Sequence, residues 1–221
     1  MTNILIAALL APLVGGQTAE RIQYLVPSSY SAKADRPISF ELGFAPSTVD
    51  AATICGRDTR RNFEGDLAEF GLDGHEAALC AIVFKKSTVS NSASLLKPWG
   101  IVASGTANVI QTASSAIAGE SDSSVIMNRL GLPTELRLMT SPLHAAGADV
   151  ALRFYGLDEM VEAGAPVLAT YGGSGKPQRL TTDRAGMVNL KNVAAGVWKV
   201  AAAQMHGSNV YIASITFEVS K

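Results

Sequence analysis

Charge is scarce in this chain. Charged residues make up 17% of the 221, against about a quarter in an ordinary soluble domain. The net charge is −1, and neither a basic stripe nor an acidic block interrupts the pattern. A nucleic-acid binder needs a positive footprint for phosphate, so that partner class is excluded. Long apolar runs are also missing: beyond the N-terminus no stretch approaches the roughly twenty residues that cross a bilayer. Nucleophile elbow, P-loop, dinucleotide-binding glycine pattern and paired-histidine metalloprotease motif are all absent. Nothing brings an acid, a base and a nucleophile to recognisable spacing, and the carboxylates of Asp66, Glu69, Asp73 and Glu76 read as a solvated face. The chain is not expected to be an enzyme.

What is present begins at the N-terminus. Ile4 to Val14 is an apolar run, broken only by Pro12 and followed by Gly15 and Gly16. It has the length of a signal-peptide core and is too short for a membrane span. The expected leader covers residues 1–19, with cleavage after Gly16 or after Ala19. The region ahead of the run lacks Lys and Arg, which leaves an uncleaved helix or strand as the alternative. Export to the periplasm follows from the leader, with no membrane span once it is removed. No cysteine stands near the cleavage region to carry a lipid.

The sequence has two cysteines, Cys55 and Cys80. In an oxidising compartment an even pair is a disulfide candidate. Closing a loop of about 25 residues would constrain the unfolded chain by roughly 3 kcal/mol. The alternative is two independent buried thiols, since free cysteine behaves as a small hydrophobe.

Period-2 alternation dominates the rest. Residues 20–87 read as an N-terminal β module, with Tyr24–Val26 extended, Ile38, Phe40 and Leu42 on one face, and Ala77–Phe84 a continuous apolar strand. Residues 50–78 are mixed in character. Residues 88–130, rich in Ser, Ala, Thr and Gly, read as a connector, partly disordered or helical, because such a stretch buries little per residue. Trp99 within it reads as a packing anchor. From 131 to 221 the alternation is clearest, ending with Tyr211, Ala213, Ile215, Phe217 and Val219 against Ser214, Thr216 and Glu218. About seven short strands at close spacing, with turn chemistry between, predict a β-sandwich. The expected fold is therefore mostly β: two sandwich-like modules joined by the connector, the C-terminal one immunoglobulin-like or prealbumin-like. Gly172-Gly173-Ser174-Gly175 precedes Lys176-Pro177 and no helix, so it reads as a hairpin tip and not a phosphate cradle.

Candidate ligands are few. His75, beside Asp73 and Glu76, suits a hard or borderline metal or an exposed turn. His144 follows Pro142 in a turn. His206, next to Met205, pairs imidazole with thioether, a combination for copper or nickel; a surface strand end is the plainer reading.

Several segments resemble, in order, the NikM-like nickel-uptake-associated periplasmic family, largely filed as a domain of unknown function. They are Arg21-Ile22-Gln23-Tyr24-Leu25-Val26-Pro27-Ser28-Ser29-Tyr30, Gly131-Leu132-Pro133-Thr134-Glu135-Leu136, Ala163-Gly164-Ala165-Pro166-Val167, Thr182-Asp183-Arg184-Ala185-Gly186, Gly196-Val197-Trp198-Lys199-Val200 and Tyr211–Phe217. The resemblance implies an accessory of transition-metal uptake, carrying a nickel, cobalt or copper ion and meeting a metal-uptake or other envelope protein. In this chain such an ion would fall to His206, Met205 and Gln204, with His75 a more distant candidate. Two departures stand against a metal site: Arg21 where the family has its N-terminal His, and Gln204 where relatives have a His before Met. The alternative expectation is a metal-free interaction module binding an envelope protein or glycan.

Overall fold

The computed structural model describes residues 22–32, 37–42, 48–57, 60–64, 77–119, 124–172 and 177–221. Fourteen strands, β1 to β14, account for most of them. They are Leu25–Pro27, Phe40–Leu42, Val49–Cys55, Arg60–Glu64, Ala78–Phe84, Ser87–Val89, Ala107–Ile117, Glu135–Leu138, Val150–Tyr155, Pro166–Tyr171, Gln178–Thr181, Met187–Leu190, Gly196–His206 and Asn209–Val219. One short helix, α1, spans Ser92–Leu96, with the Asn91 side chain accepting from the Ser94 N–H at its start.

The mostly-β, sandwich-packed reading is correct. One sheet runs in the order β11-β10-β13-β14-β7-β5-β3-β4, with β6 also on β7, and a second runs β12-β9-β8. The two pack face to face. Leu136, Leu138, Val150, Leu152, Phe154, Val188 and Leu190 of the smaller sheet meet Val167, Ala169, Trp198, Val200, Ala213, Ile215 and Phe217 of the larger. The alternation read from Tyr211 to Val219 is borne out here, with Ala213, Ile215, Phe217 and Val219 all in this core.

The opposite face of the large sheet is buried as well. Leu25, Ala32 and Ile38 cover Ile54, Cys80, Ile82 and Ala113 at one end. Leu95, Leu96 and Trp99 cover Leu168, Ala201, Ala203, Val210 and Ile212 at the other. Trp99 is therefore the packing anchor expected. Because both faces of β13 and β14 are covered, their sequences lose polar alternation in places, as Val200-Ala201-Ala202-Ala203 shows.

The connector reading needs correction. Residues 88–130 hold α1, as a helical portion would, but also β7, which is eleven residues long and lies at the heart of the large sheet. Every other ladder between the described strands is antiparallel; β7 joins β14 in parallel, from Asn108–Asn209 to Ser115–Thr216. Small residues suit this place because side chains press on the strand from both faces. Ser114 Oγ donates to the Ser214 carbonyl at 3.0 Å, and the Ser115 and Thr216 hydroxyls hydrogen-bond each other at 3.0 Å. The two expected modules thus share one sheet through β7 and β14. Residues 50–78, read as mixed, contribute β3 and β4.

The start of the described chain lies across this junction. Ser214 Oγ donates to the Gln23 carbonyl and Thr216 Oγ1 to the Leu25 carbonyl, each at 2.6 Å. The polar face of β14 is thereby buried under the N-terminal segment and not left in water.

The disulfide is also corrected. In the β3–β5 ladder Ile54 stands opposite Cys80, and Cys55 opposite Leu79. Side chains alternate across a sheet, so Cys55 points toward the inter-sheet core while Cys80 joins the cluster on the other face. Both thiols are free. Among the described residues no helix is long and apolar enough to cross a membrane.

Candidate functional site

One end of the sandwich gathers the ends of β9, β11 and β13 with the starts of β8, β10, β12 and β14. The β9–β10 loop there carries two acids in different settings. β9 stops at Gly156, where a Cβ would sit 2.1 Å from Glu162 Oε1, so only glycine leaves room for that carboxylate. A 3-10 turn, Leu157–Glu159, follows. Glu159 adopts a positive φ of 63°, an uncommon conformation for a side-chain-bearing residue that surrounding contacts must hold. The Gly156 N–H to Met160 carbonyl bond (3.0 Å) and the Glu162 N–H to Phe154 carbonyl bond (3.0 Å) do so. Thr182 Oγ1 fixes the far side by donating to the Glu162 carbonyl at 2.5 Å.

Glu162 then meets His206. Nε2 of the imidazole lies 3.0 Å from both carboxylate oxygens. Glu162 is buried, its side chain 6% exposed, and His206 reaches it from the surface at 42%. His206 is the last residue of β13, and the turn to Asn209 runs through Gly207 at φ +58°. A glycine at the first central position suits a two-residue hairpin turn of the II′ kind. The Tyr211 ring packs edge-on against the imidazole, with centroids 5.9 Å apart.

The second acid is Glu135, buried at the start of β8. Its Oε1 accepts from Leu130 N–H at 2.9 Å and its Oε2 from Gly131 N–H at 3.1 Å. Burial raises its carboxyl above the ordinary glutamate range, opposed by those N–H donors, by Leu132 N–H and by the nearby Arg129 charge. The Arg129 guanidinium stands 4.2 Å over the Tyr155 ring and reaches Glu159 at 2.9 Å. Arg129 Nε lies 4.0 Å from Glu135. Thus Arg129 and His206 hold the β9–β10 loop from its two sides.

Between these anchors the loop turns aliphatic side chains to water. Leu157 is 41% exposed, Met160 65% and Val161 38%. Such surface is ordinary when scattered; here it falls within the five residues 157–161, on backbone that is fixed.

The proposed ligand set does not come together. His206 and Gln204 share one face of β13, whereas Met205 faces the other way and packs against the cluster around Trp99. The His206 Nε2 is already committed to Glu162. Among the described residues no group of three or more His, Cys, Asp or Glu is placed to hold a metal ion. Among the described donors, His206, Met205 and Gln204 therefore do not converge on one nickel, cobalt or copper ion. His75 lies outside the described residues, as do Asp66, Glu69, Asp73 and Glu76. His144 is exposed, as expected, with Nδ1 2.7 Å from the Lys221 carbonyl. Sequence reading passed over Glu162. Its signal was an isolated acid among Met160, Val161, Ala163 and Ala165, a place where an acid needs a partner once buried.

No family model and no curated protein matches this chain. Three solved structures are similar in part. A two-domain fibronectin type III segment from chicken tenascin aligns over 89% of this chain and 98% of its own, at 11% identity and a TM-score of 0.30. A calcium-stabilised adhesin with which an Antarctic bacterium binds ice aligns over 90% and 49%, at 11% identity and 0.29. The D0-D1 domain of intimin aligns over 88% and 97%, at 12% identity and 0.23. Fits this loose say nothing about what this chain binds. Its own strand order makes it a mostly-β protein of two face-packed sheets.

Proposed function

We propose that this protein is a non-catalytic interaction module of the bacterial periplasm, which docks another envelope protein through the β9–β10 loop. The observation that carries this reading is the aliphatic trio Leu157, Met160 and Val161, held out on a loop pinned by the Glu162–His206 and Arg129–Glu159 pairs. A surface already fixed in its binding shape loses little entropy on association. Aliphatic side chains favour a protein partner over a glycan, whose polar rings need hydrogen-bonding groups or an aromatic platform. The exposed aromatic Tyr171 stands at the other end of β10, against Trp198. The metal-accessory reading is weaker because its donors point to opposite faces of β13.

The test is photo-crosslinking in intact cells, with a photoreactive residue in place of Leu157. A discrete adduct should form, and should vanish in a Met160→Ser/Val161→Ser background that melts like the parent. No adduct, or an adduct unchanged by those substitutions, overturns the docking reading. Calorimetry with Ni²⁺, Co²⁺ and Cu²⁺ should be flat. A one-to-one titration abolished by His206→Ala would restore the metal accessory.

A further inference from the structure

Methionine placement in this chain is uneven. Met127 packs against the inter-sheet core and Met205 against the cluster around Trp99. Met187 is half-buried, its sulfur 3.2 Å from Arg153 Nε. Met139 is half-buried as well. Met160 alone among the described methionines is largely in water, at the centre of the aliphatic trio. Its backbone is tied down on both sides, the Met160 N–H donating to the Leu157 carbonyl and the Met160 carbonyl accepting from Gly156, each at 3.0 Å.

We infer that Met160 is an oxidative modification site, at which a peroxide converts the exposed apolar loop face into a polar one while leaving the fold intact. The thioether sulfur attacks one oxygen of hydrogen peroxide and the O–O bond breaks. The sulfur, oxidised, keeps that oxygen as a sulfoxide, while the peroxide, reduced, leaves as water. Access governs which methionine reacts, and the product is polar where the reactant was apolar. Oxidation of Met127 or Met205 would place a sulfoxide dipole in a core and destabilise it. At Met160 the new oxygen meets solvent, and no hydrogen bond of the loop runs through the side chain. The sulfoxide is reducible by methionine sulfoxide reductases, so the change is reversible. Its consequence for docking rests on the function proposed above; the oxidation site itself does not.

The experiment treats the folded full chain and a Met160→Leu variant with graded hydrogen peroxide. Three readouts follow: peptide mass spectrometry for the gain of one oxygen, retention on a hydrophobic-interaction column, and thermal melting. Met160 should react roughly ten times faster than Met127, Met139, Met187 or Met205. The oxidised parent should elute earlier with an unchanged melting midpoint, and the Met160→Leu protein should show neither early change. Prior oxidation of any of those four overturns the inference, as does Met160 sulfoxide formation with no change in retention. The crosslink at position 157 should be lost on oxidation of the parent and kept in Met160→Leu. If no crosslink forms in any sample while mass and retention behave as expected, the docking reading fails and the oxidation site stands.

Discussion

At the scale of single residues, the Glu162–His206 pair illustrates why a buried acid demands a specific neighbourhood. Removing one partner leaves the other desolvated and unpaired, which costs about 1–3 kcal/mol. His206→Ala should lower the denaturant midpoint accordingly, and an unchanged midpoint would mean that the carboxylate finds another donor. Gly156→Ala should also destabilise the fold, because its methyl would overlap the Glu162 carboxylate. Adding Glu162→Ala to Gly156→Ala should recover part of that loss, so the cycle's coupling energy reports the contact. Glu135 and Asp149 give opposite pH signatures. Burial holds the Glu135 carboxyl above its ordinary 4.5, so the folded state keeps a proton that the unfolded chain has released. Its contribution favours the fold at acid pH and is lost as pH rises through the folded value; Glu135→Gln should flatten that slope in urea melts. Lys191 and the Asn192 N–H hold Asp149 below its ordinary 3.8. That contribution is present at neutral pH and lost as pH falls through the folded value. Burial also pushes the Cys80 thiol up to about 12. A thiol reagent should therefore count one slow or silent cysteine in the native protein and two in denaturant, with no reductant needed.

At the scale of elements, what the sequence revealed depended on whether one face of a strand keeps polar residues. β9 with Arg153, β12 with Asn189 and β14 with Ser214 and Thr216 alternate polar and apolar positions and were readable for that reason. β7 was not, because its neighbours press on both faces and the space admits only small residues such as Ala113, Ser114, Ser115 and Ala116, which mimic a linker in composition. β3 was obscured in the same way, with Ala52 and Ile54 buried on one side and Cys55 packed on the other. The β9–β10 loop was invisible as a site because its meaning lies in long-range partners: Arg129, Thr182 and His206 come from three separate stretches of chain. Ser115→Leu tests the crowding at β7. It should destabilise by about 1–3 kcal/mol through overpacking, read as a lower melting midpoint, and tolerance there would mean that the layers are looser than drawn.

At the scale of the whole molecule, the mostly-β class was legible and the connectivity was not. Composition and period announce strands, but a parallel pairing of β7 with β14 leaves no local mark in either segment. Two modules on a linker would melt in two steps. A shared sheet with a shared core, in which Leu79 and Ala116 belong to the same cluster as Phe154 and Phe217, should melt in one. Calorimetry on the full chain is expected to give a single transition whose calorimetric and van't Hoff enthalpies agree. The position of β14 has a temporal consequence too. This strand, made after the other thirteen described ones, lies between β13 and β7 and beneath residues 23–25. During synthesis the centre of this sheet therefore leaves the ribosome after its flanks. Every earlier strand must wait without its centre, and contacts so distant along the chain close slowly. A nascent chain stalled before Asn209 lacks the middle of its sheet, and is a client for whatever holds unfinished proteins apart.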